Sequence, residues 1–175
     1  MSKIAILGLG NWGTALAKTW MDAKHEISGW TIENEVYESI TSKSINEKYL
    51  PEIELSEIYT TMRIEECLEN AEIVVLALPS SVIIDVVKDL IPFLRPSHVL
   101  IDLAKGFTPE GGSISENIVQ LLRAENKLNP VAVMTGPTIA PEVAKGVITT
   151  ALIACEDQLI AKKLVQRLTT EHLLL

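Results

Sequence analysis

The chain has 175 residues, 47% hydrophobic and 22% charged, which suits one domain with a filled core and a solvated outside. Its formal charge of −8, with no basic run, argues against nucleic acid as a partner, because binding a phosphate backbone needs clustered Lys and Arg. Its two cysteines, Cys67 and Cys155, lie far apart with no Cys/His spacing around them, so no metal is expected and both read as small core residues of a reduced, cytoplasmic protein. Nothing resembles a signal peptide. The longest apolar runs, 73–79 and 147–155, are too short to span a bilayer, so no membrane insertion is expected.

Apolar runs alternate with helical periodicity along the chain. A strand over 3–8 leads to a helix over 11–22, then a strand over 25–30 and a helix near 34–42. Residues 43–59 are polar, contain Pro51 and read as one long connection. A short strand near 60–63 and a short helix over 64–70 follow. The stretch 72–78 is almost wholly apolar, as a parallel strand buried on both faces should be. Pro79 ends it, and Ser80 is a candidate cap for a helix running to Ile91. Next come a strand over 98–103, Lys105-Gly106 just past its end, a helix over 113–124 and a strand over 130–134. Gly136-Pro137-Thr138 makes a turn before a short helix near 140–145. A strand over 147–155, a helix over 157–168 and the start of a strand at 172–175 complete the order.

The junction of the first strand and first helix carries the most chemistry. Residues 4–7 run straight into Gly8-x-Gly10-x-x-Gly13, and helix formers follow from Thr14. A dinucleotide pyrophosphate needs this order: Gly8 for the tight turn, Gly10 for close approach of phosphates to the backbone, Gly13 for close packing of helix on strand. The helix start adds unpaired N–H groups and a positive dipole end. The alternative is a strand–turn–helix whose glycines serve packing only. The expected fold class is therefore α/β, a Rossmann-type doubly wound and mostly parallel sheet. Ligands of such sheets lie outside the carboxyl ends of the strands, which selects residues 8–12, 30–33, 78–81, 104–106 and 135–140.

Several stretches together resemble the N-terminal, cofactor-binding domain of NAD(P)-dependent glycerol-3-phosphate dehydrogenases: Gly8-Leu-Gly-Asn-Trp-Gly-Thr-Ala-Leu-Ala17, Tyr49-Leu-Pro51, Leu78-Pro-Ser80, Ala104-Lys-Gly106 and Gly136-Pro-Thr-Ile-Ala-Pro-Glu-Val143. The resemblance covers essentially the whole chain. It implies hydride transfer between nicotinamide C4 and C2 of glycerol 3-phosphate, giving dihydroxyacetone phosphate, and with it a place in glycerol-3-phosphate metabolism and phospholipid biosynthesis. It also implies that Asn11, Trp12, Pro79 and Ala140 contact the cofactor. Lys105 would lie between cofactor and substrate, and Gly136 and Thr138 on the side of the phosphorylated substrate. The family's general acid/base lysine and main substrate-phosphate ligands belong to a helical domain that these residues do not contain. The chain is thus expected to be a cofactor-binding half, inactive alone, that forms a homo-oligomer or docks such a helical domain. A non-catalytic NAD-binding module and a dehydrogenase of the β-hydroxyacid type remain open alternatives.

Many members of the family it resembles place Arg or His two residues after the Trp that closes the second strand, where it can meet a 2′-phosphate. Here that position is Ile32, and Glu33 follows, close to where an acid bonds the ribose hydroxyls. NAD is therefore expected rather than NADP, unless Glu33 only caps or solvates the next helix.

Lys105 has a rationale of its own. A lysine past the end of a buried strand points into the crevice, where a cation steadies a developing alkoxide or binds a phosphate; the bland reading is a solvated loop lysine. Thr138 offers a hydroxyl to a ligand or caps the next helix. Trp30 reads as a wall of the adenine pocket or as core. His25, His98 and His172 fall at strand starts and read as structural or exposed, and Asp102 as a hydrogen-bonded partner to a nearby loop.

Overall fold

The computed structural model describes residues 1–108 and 111–175. The elements in chain order are β1 (Lys3–Leu7), α1 (Asn11–Asp22), β2 (Glu26–Trp30), α2 (Asn34–Lys43), β3 (Ile45–Asn46), β4 (Leu50–Glu54), β5 (Tyr59–Thr61), α3 (Ile64–Leu68), β6 (Ile73–Leu76) and α4 (Ile83–Leu90), which runs into a 3-10 turn (Ile91–Phe93). Then come β7 (Val99–Asp102), α5 (Ile114–Ala124), β8 (Val131–Thr135), α6 (Ala140–Ala144), β9 (Thr149–Thr150), β10 (Leu152–Cys155), α7 (Gln158–Leu168) and β11 (Leu173–Leu174).

Among the described residues a seven-stranded sheet runs β10-β8-β7-β6-β1-β2-β5. All its pairings are parallel except that of β10 with β8. The chain winds outward from β1 through β2 to β5, then returns to lay β6 on the other side of β1. That reversal opens a crevice at the carboxyl ends of β1 and β6, where such folds receive nucleotides.

Strand parity divides the core in two. Ile4, Ile6, Ile73, Val75 and Ile101 face one layer with Leu16, Trp20, Val143, Leu164 and Leu168 of α1, α6 and α7. Ala5, Leu7, Val74, Leu76 and Leu100 face the other, against α3, α4 and α5. The Trp20 indole N–H donates to the Leu168 carbonyl at 3.1 Å and ties α1 to the end of α7. No helix among the described residues is long and apolar enough to cross a membrane.

Three local expectations are corrected. The 43–59 connection contains a hairpin, β3 paired antiparallel with β4. The apolar run 147–155 is split: β9 pairs with β11 in a separate two-stranded sheet, and β10 alone joins the main sheet. Ser80 caps nothing, because α4 starts only at Ile83 with Val82 in the cap position. In α5, Ser113 does cap: its side chain accepts from the Glu116 N–H while Glu116 reaches back to the Ser113 N–H, a reciprocal box.

The three histidines serve structure or face solvent. His25 Nδ1 accepts the Ser2 N–H at 3.0 Å, and burial pulls its pKa down. His98 is buried against Arg95, with its pKa lowered first by burial and then by the guanidinium. His172 is exposed. Burial pushes the Cys67 thiol up to about 12, so it stays protonated and inert, whereas Cys155 is half-buried.

Candidate functional site

The three glycines of the loop are not equivalent. Gly8 leaves β1 at φ +102°, which a side chain rarely adopts, and a Cβ there would lie 2.4 Å from the Ala77 carbonyl oxygen. A Cβ on Gly13 would lie 1.9 Å from the Gly8 carbonyl oxygen. The fold itself needs both. Gly10 sits at φ −73°, ψ −166°, backbone that any residue adopts, and a Cβ there would meet nothing within 4 Å. Packing therefore accounts for Gly8 and Gly13 and leaves Gly10 unexplained by the protein alone. The open space before it adjoins the start of α1, which has no side-chain cap and no acid in its first turn. Its orphan N–H groups and positive dipole end suit an anion. These residues fit a dinucleotide pyrophosphate.

At the other end of the crevice, Trp12, Lys105, Gly136, Thr138 and Ala140 line one cavity of about 250 Å³. Leu103, Met134, Thr135 and Ala151 complete its wall. Trp12 belongs to the first turn of α1, and α6 packs on that helix, so Ala140 at the start of α6 and Thr138 just before it are held at the same cavity as the indole. Lys105 is exposed and forms no ion pair among the described residues. Just before it, the fully buried Asp102 accepts the Ala104 N–H at 2.8 Å and fixes the turn out of β7. Burial in this nearly apolar setting pushes the Asp102 carboxyl up to about 6. Gly136 is glycine for another reason than ligand approach: a Cβ there would sit 2.9 Å from Ala151 Cα and from the Thr150 carbonyl oxygen. Thr138 does not cap α6, whose cap position is Ile139.

Asn11 and Pro79 are exposed, Asn11 at the start of α1 and Pro79 beyond β6, where its carbonyl accepts the Val82 and Ile83 N–H groups. Ile32 is 73% exposed and contributes no polar group. Glu33 occupies the cap position of α2 without capping it. Its carboxylate instead accepts the Tyr49 hydroxyl at 2.7 Å and pairs with Lys48, which also pairs with Glu35. Lys48, then Tyr49, hold the Glu33 carboxyl below its ordinary range, and Glu33 and Glu35 hold the Lys48 ammonium above its own. Trp30 is core, with its indole N–H given to the Met62 carbonyl.

Sequence reasoning assigned no role to Asn46 and Lys48. Asn46 is fully buried: its amide donates to the Leu9 carbonyl at 2.8 Å and to Thr14 Oγ1 at 2.9 Å, and its Oδ1 accepts the Tyr49 N–H at 3.3 Å. The hairpin is thereby fastened to the back of the glycine loop. The one available signal was a polar stretch longer than a connection needs.

The switched sheet, the cradle in front of Gly10 and the cavity at Lys105 define a dinucleotide-binding α/β domain. Residues 3–161 match the family described as NAD-dependent glycerol-3-phosphate dehydrogenase N-terminus, so the chain belongs to that family and is its NAD(P)-binding domain. It is 36% identical over 168 residues to glycerol-3-phosphate dehydrogenase [NAD(P)+] 2 of Lactobacillus delbrueckii subsp. bulgaricus, covering 93% of this chain and 49% of that protein. It is 34% identical over 165 residues to the Listeria monocytogenes serotype 4b (strain CLIP80459) glycerol-3-phosphate dehydrogenase [NAD(P)+], covering 94% and 48%. The chain thus spans about half the length of the curated relatives it matches. The Coxiella burnetii glycerol-3-phosphate dehydrogenase structure superposes with a TM-score of 0.88 at 25% identity, over 99% of this chain and 52% of that one. A UDP-D-ManNAc dehydrogenase from Pyrococcus horikoshii shares the fold alone, with a TM-score of 0.80 at 18% identity over 98% and 46% of the chains.

Proposed function

We propose that the chain is the cofactor-binding half of a glycerol-3-phosphate dehydrogenase that prefers NAD(H), and that it does not turn over alone. Bound NAD(H) supplies the hydride acceptor or donor. The amides around Gly10 and the first turn of α1 hold its pyrophosphate. Glu33 accepts hydrogen bonds from the adenosine ribose and repels a 2′-phosphate, while Ile32 offers that phosphate nothing. Trp12, Pro79 and Ala140 border the cofactor on the way to the cavity. There the Lys105 ammonium steadies a substrate oxygen or phosphate, and the Thr138 hydroxyl offers a further hydrogen bond.

In this reading the proton-transferring lysine comes from a helical domain that docks on exposed apolar side chains such as Ile139, Ile148 and Leu152, whose exposure runs from 57% to 70%. A monodisperse monomer at high concentration would count against self-association through that face.

The observation that carries the reading is the meeting of Trp12, Lys105, Thr138 and Ala140, from separate stretches of chain, around one cavity beside the uncapped α1. Calorimetric titration tests it. NADH should bind more tightly than NADPH, dihydroxyacetone phosphate should bind only with the cofactor present, and Lys105→Met should remove the second event but not the first. High turnover by the 175 residues alone would contradict the assignment of proton transfer elsewhere.

A further inference from the structure

The end of β2 carries a charge arrangement that the dinucleotide reading does not require. The residue after Thr31 is the exposed, apolar Ile32, so the strand itself offers no cation there. A cation is nevertheless present. It comes from the β3–β4 hairpin, which Asn46 fixes to the glycine loop through the Leu9 carbonyl and the Thr14 hydroxyl. From that anchored turn the Lys48 ammonium reaches both Glu33 and Glu35, while the Tyr49 hydroxyl donates to the other Glu33 oxygen at 2.7 Å. Lys48 Nζ also stands 5.5 Å from the centre of the Tyr49 ring. A single ammonium is thus shared by two carboxylates at the place where the adenosine ribose comes to rest in this fold.

We propose that Lys48 is a latent receptor for the 2′-phosphate of NADP(H), held silent by Glu33 and Glu35, so that competition for one ammonium sets the choice of cofactor. The inference rests on the dinucleotide reading above. With NAD(H) the pairs stay closed, and Glu33 meets the ribose hydroxyls with its orientation fixed by Tyr49 and Lys48. A 2′-phosphate must instead draw Lys48 away from two carboxylates while Glu33 repels it. Discrimination is then a property of three side chains from two elements, and it reverses without any new cation.

The test is fluorescence titration of wild type, E33Q/E35Q, E33Q/E35Q/K48M and K48M with NADH and NADPH, and with 2′-AMP and 5′-AMP as probes of the adenosine end alone. Releasing Lys48 in E33Q/E35Q should raise affinity for NADPH and 2′-AMP by about tenfold or more, with a gain that shrinks as salt is added. Adding K48M should abolish that gain. NADH affinity should fall by only about threefold in E33Q/E35Q and less in K48M, since the pyrophosphate contacts remain. All three substituted side chains are at least partly exposed, so thermal melts of the variants should match wild type. Equal NADPH affinity in the double and triple variants, or no gain in the double, overturns the role of Lys48 while NADH binding by wild type keeps the site assignment standing. Failure of wild type to bind either nucleotide overturns the site assignment and this inference together.

Discussion

The side-chain amide of Asn46 donates to the carbonyl oxygen of Leu9 at 2.8 Å, so a residue of the β3–β4 hairpin holds the middle of the glycine loop. It shares that carbonyl with the Thr14 hydroxyl, which donates to it at 3.0 Å. Removing the amide leaves the buried Thr14 hydroxyl oxygen without its donor and the Leu9 carbonyl with only the Thr14 hydroxyl. Asn46→Ala should cost about 2–4 kcal/mol of stability, read as a lower urea midpoint at unchanged slope, and should weaken NADH binding as the loop loosens. Asn46→Asp should be no milder, because it sets a carboxylate against a carbonyl. A variant with wild-type stability would show that the hairpin does not brace the loop.

Gly10 and Gly13 should separate binding from folding. Gly10→Ala places a methyl in open space and should cost under about 1 kcal/mol as a change of helix cap, yet lower NADH affinity strongly. Gly13→Ala drives a methyl into the Gly8 carbonyl and should leave little soluble protein. Paired melting and titration of the two variants check this; undiminished NADH affinity in Gly10→Ala would remove the phosphates from that space.

Asp102 gives a pH dependence with a definite sign. Its folded pKa of about 6 lies above the ordinary 3.8, so the folded state holds that proton more tightly than the unfolded state. Its contribution to stability is therefore greatest below about pH 4, falls between about 4 and 6, and stays low above that. Asp102→Asn keeps an acceptor for the Ala104 N–H and removes the buried charge. The variant should gain about 2–3 kcal/mol over wild type at pH 7.5 and almost nothing at pH 4. A gain of equal size at both values would assign the effect to packing instead.

Lys105→Met should leave stability within about 0.5 kcal/mol, because the side chain is exposed and pairs with none of the described residues. Phosphate or dihydroxyacetone phosphate should raise the melting temperature of the NADH-loaded wild type but not of the loaded variant. Equal shifts in both would move the anion away from the cavity.

What the sequence revealed depended on whether a signal was local. The order of β1, the glycines and α1 and the apolar β6 are each set by neighbouring residues, and each was readable. The hairpin was not, since β3 has only two residues and owes its place to a buried Asn46 whose partners lie 37 and 32 residues away. The break at Ala151 in the run 147–155 was also hidden: β9 needs β11 as a partner, and no pattern within the run announces it. Ser80 looked like a cap by type alone, but the chain continues two residues further before α4 can start. At the site, three of the five segments named from strand ends, 8–12, 104–106 and 135–140, meet at one cavity, while 30–33 and 78–81 contribute nothing to its wall, and the reason for Gly136 is a contact with Thr150 and Ala151 at the β9–β10 junction that only the packed sheet reveals.

The unequal settings of the two cysteines have a practical use. With the Cys67 thiol pushed up to about 12 and buried, a maleimide dye at neutral pH will attach to Cys155. In the antiparallel pairing of β10 with β8, Cys155 stands opposite Ala132, toward the end of the sheet away from the crevice. A label there stands away from the crevice, so the unaltered chain can be tethered through it or followed by energy transfer from its three tryptophans.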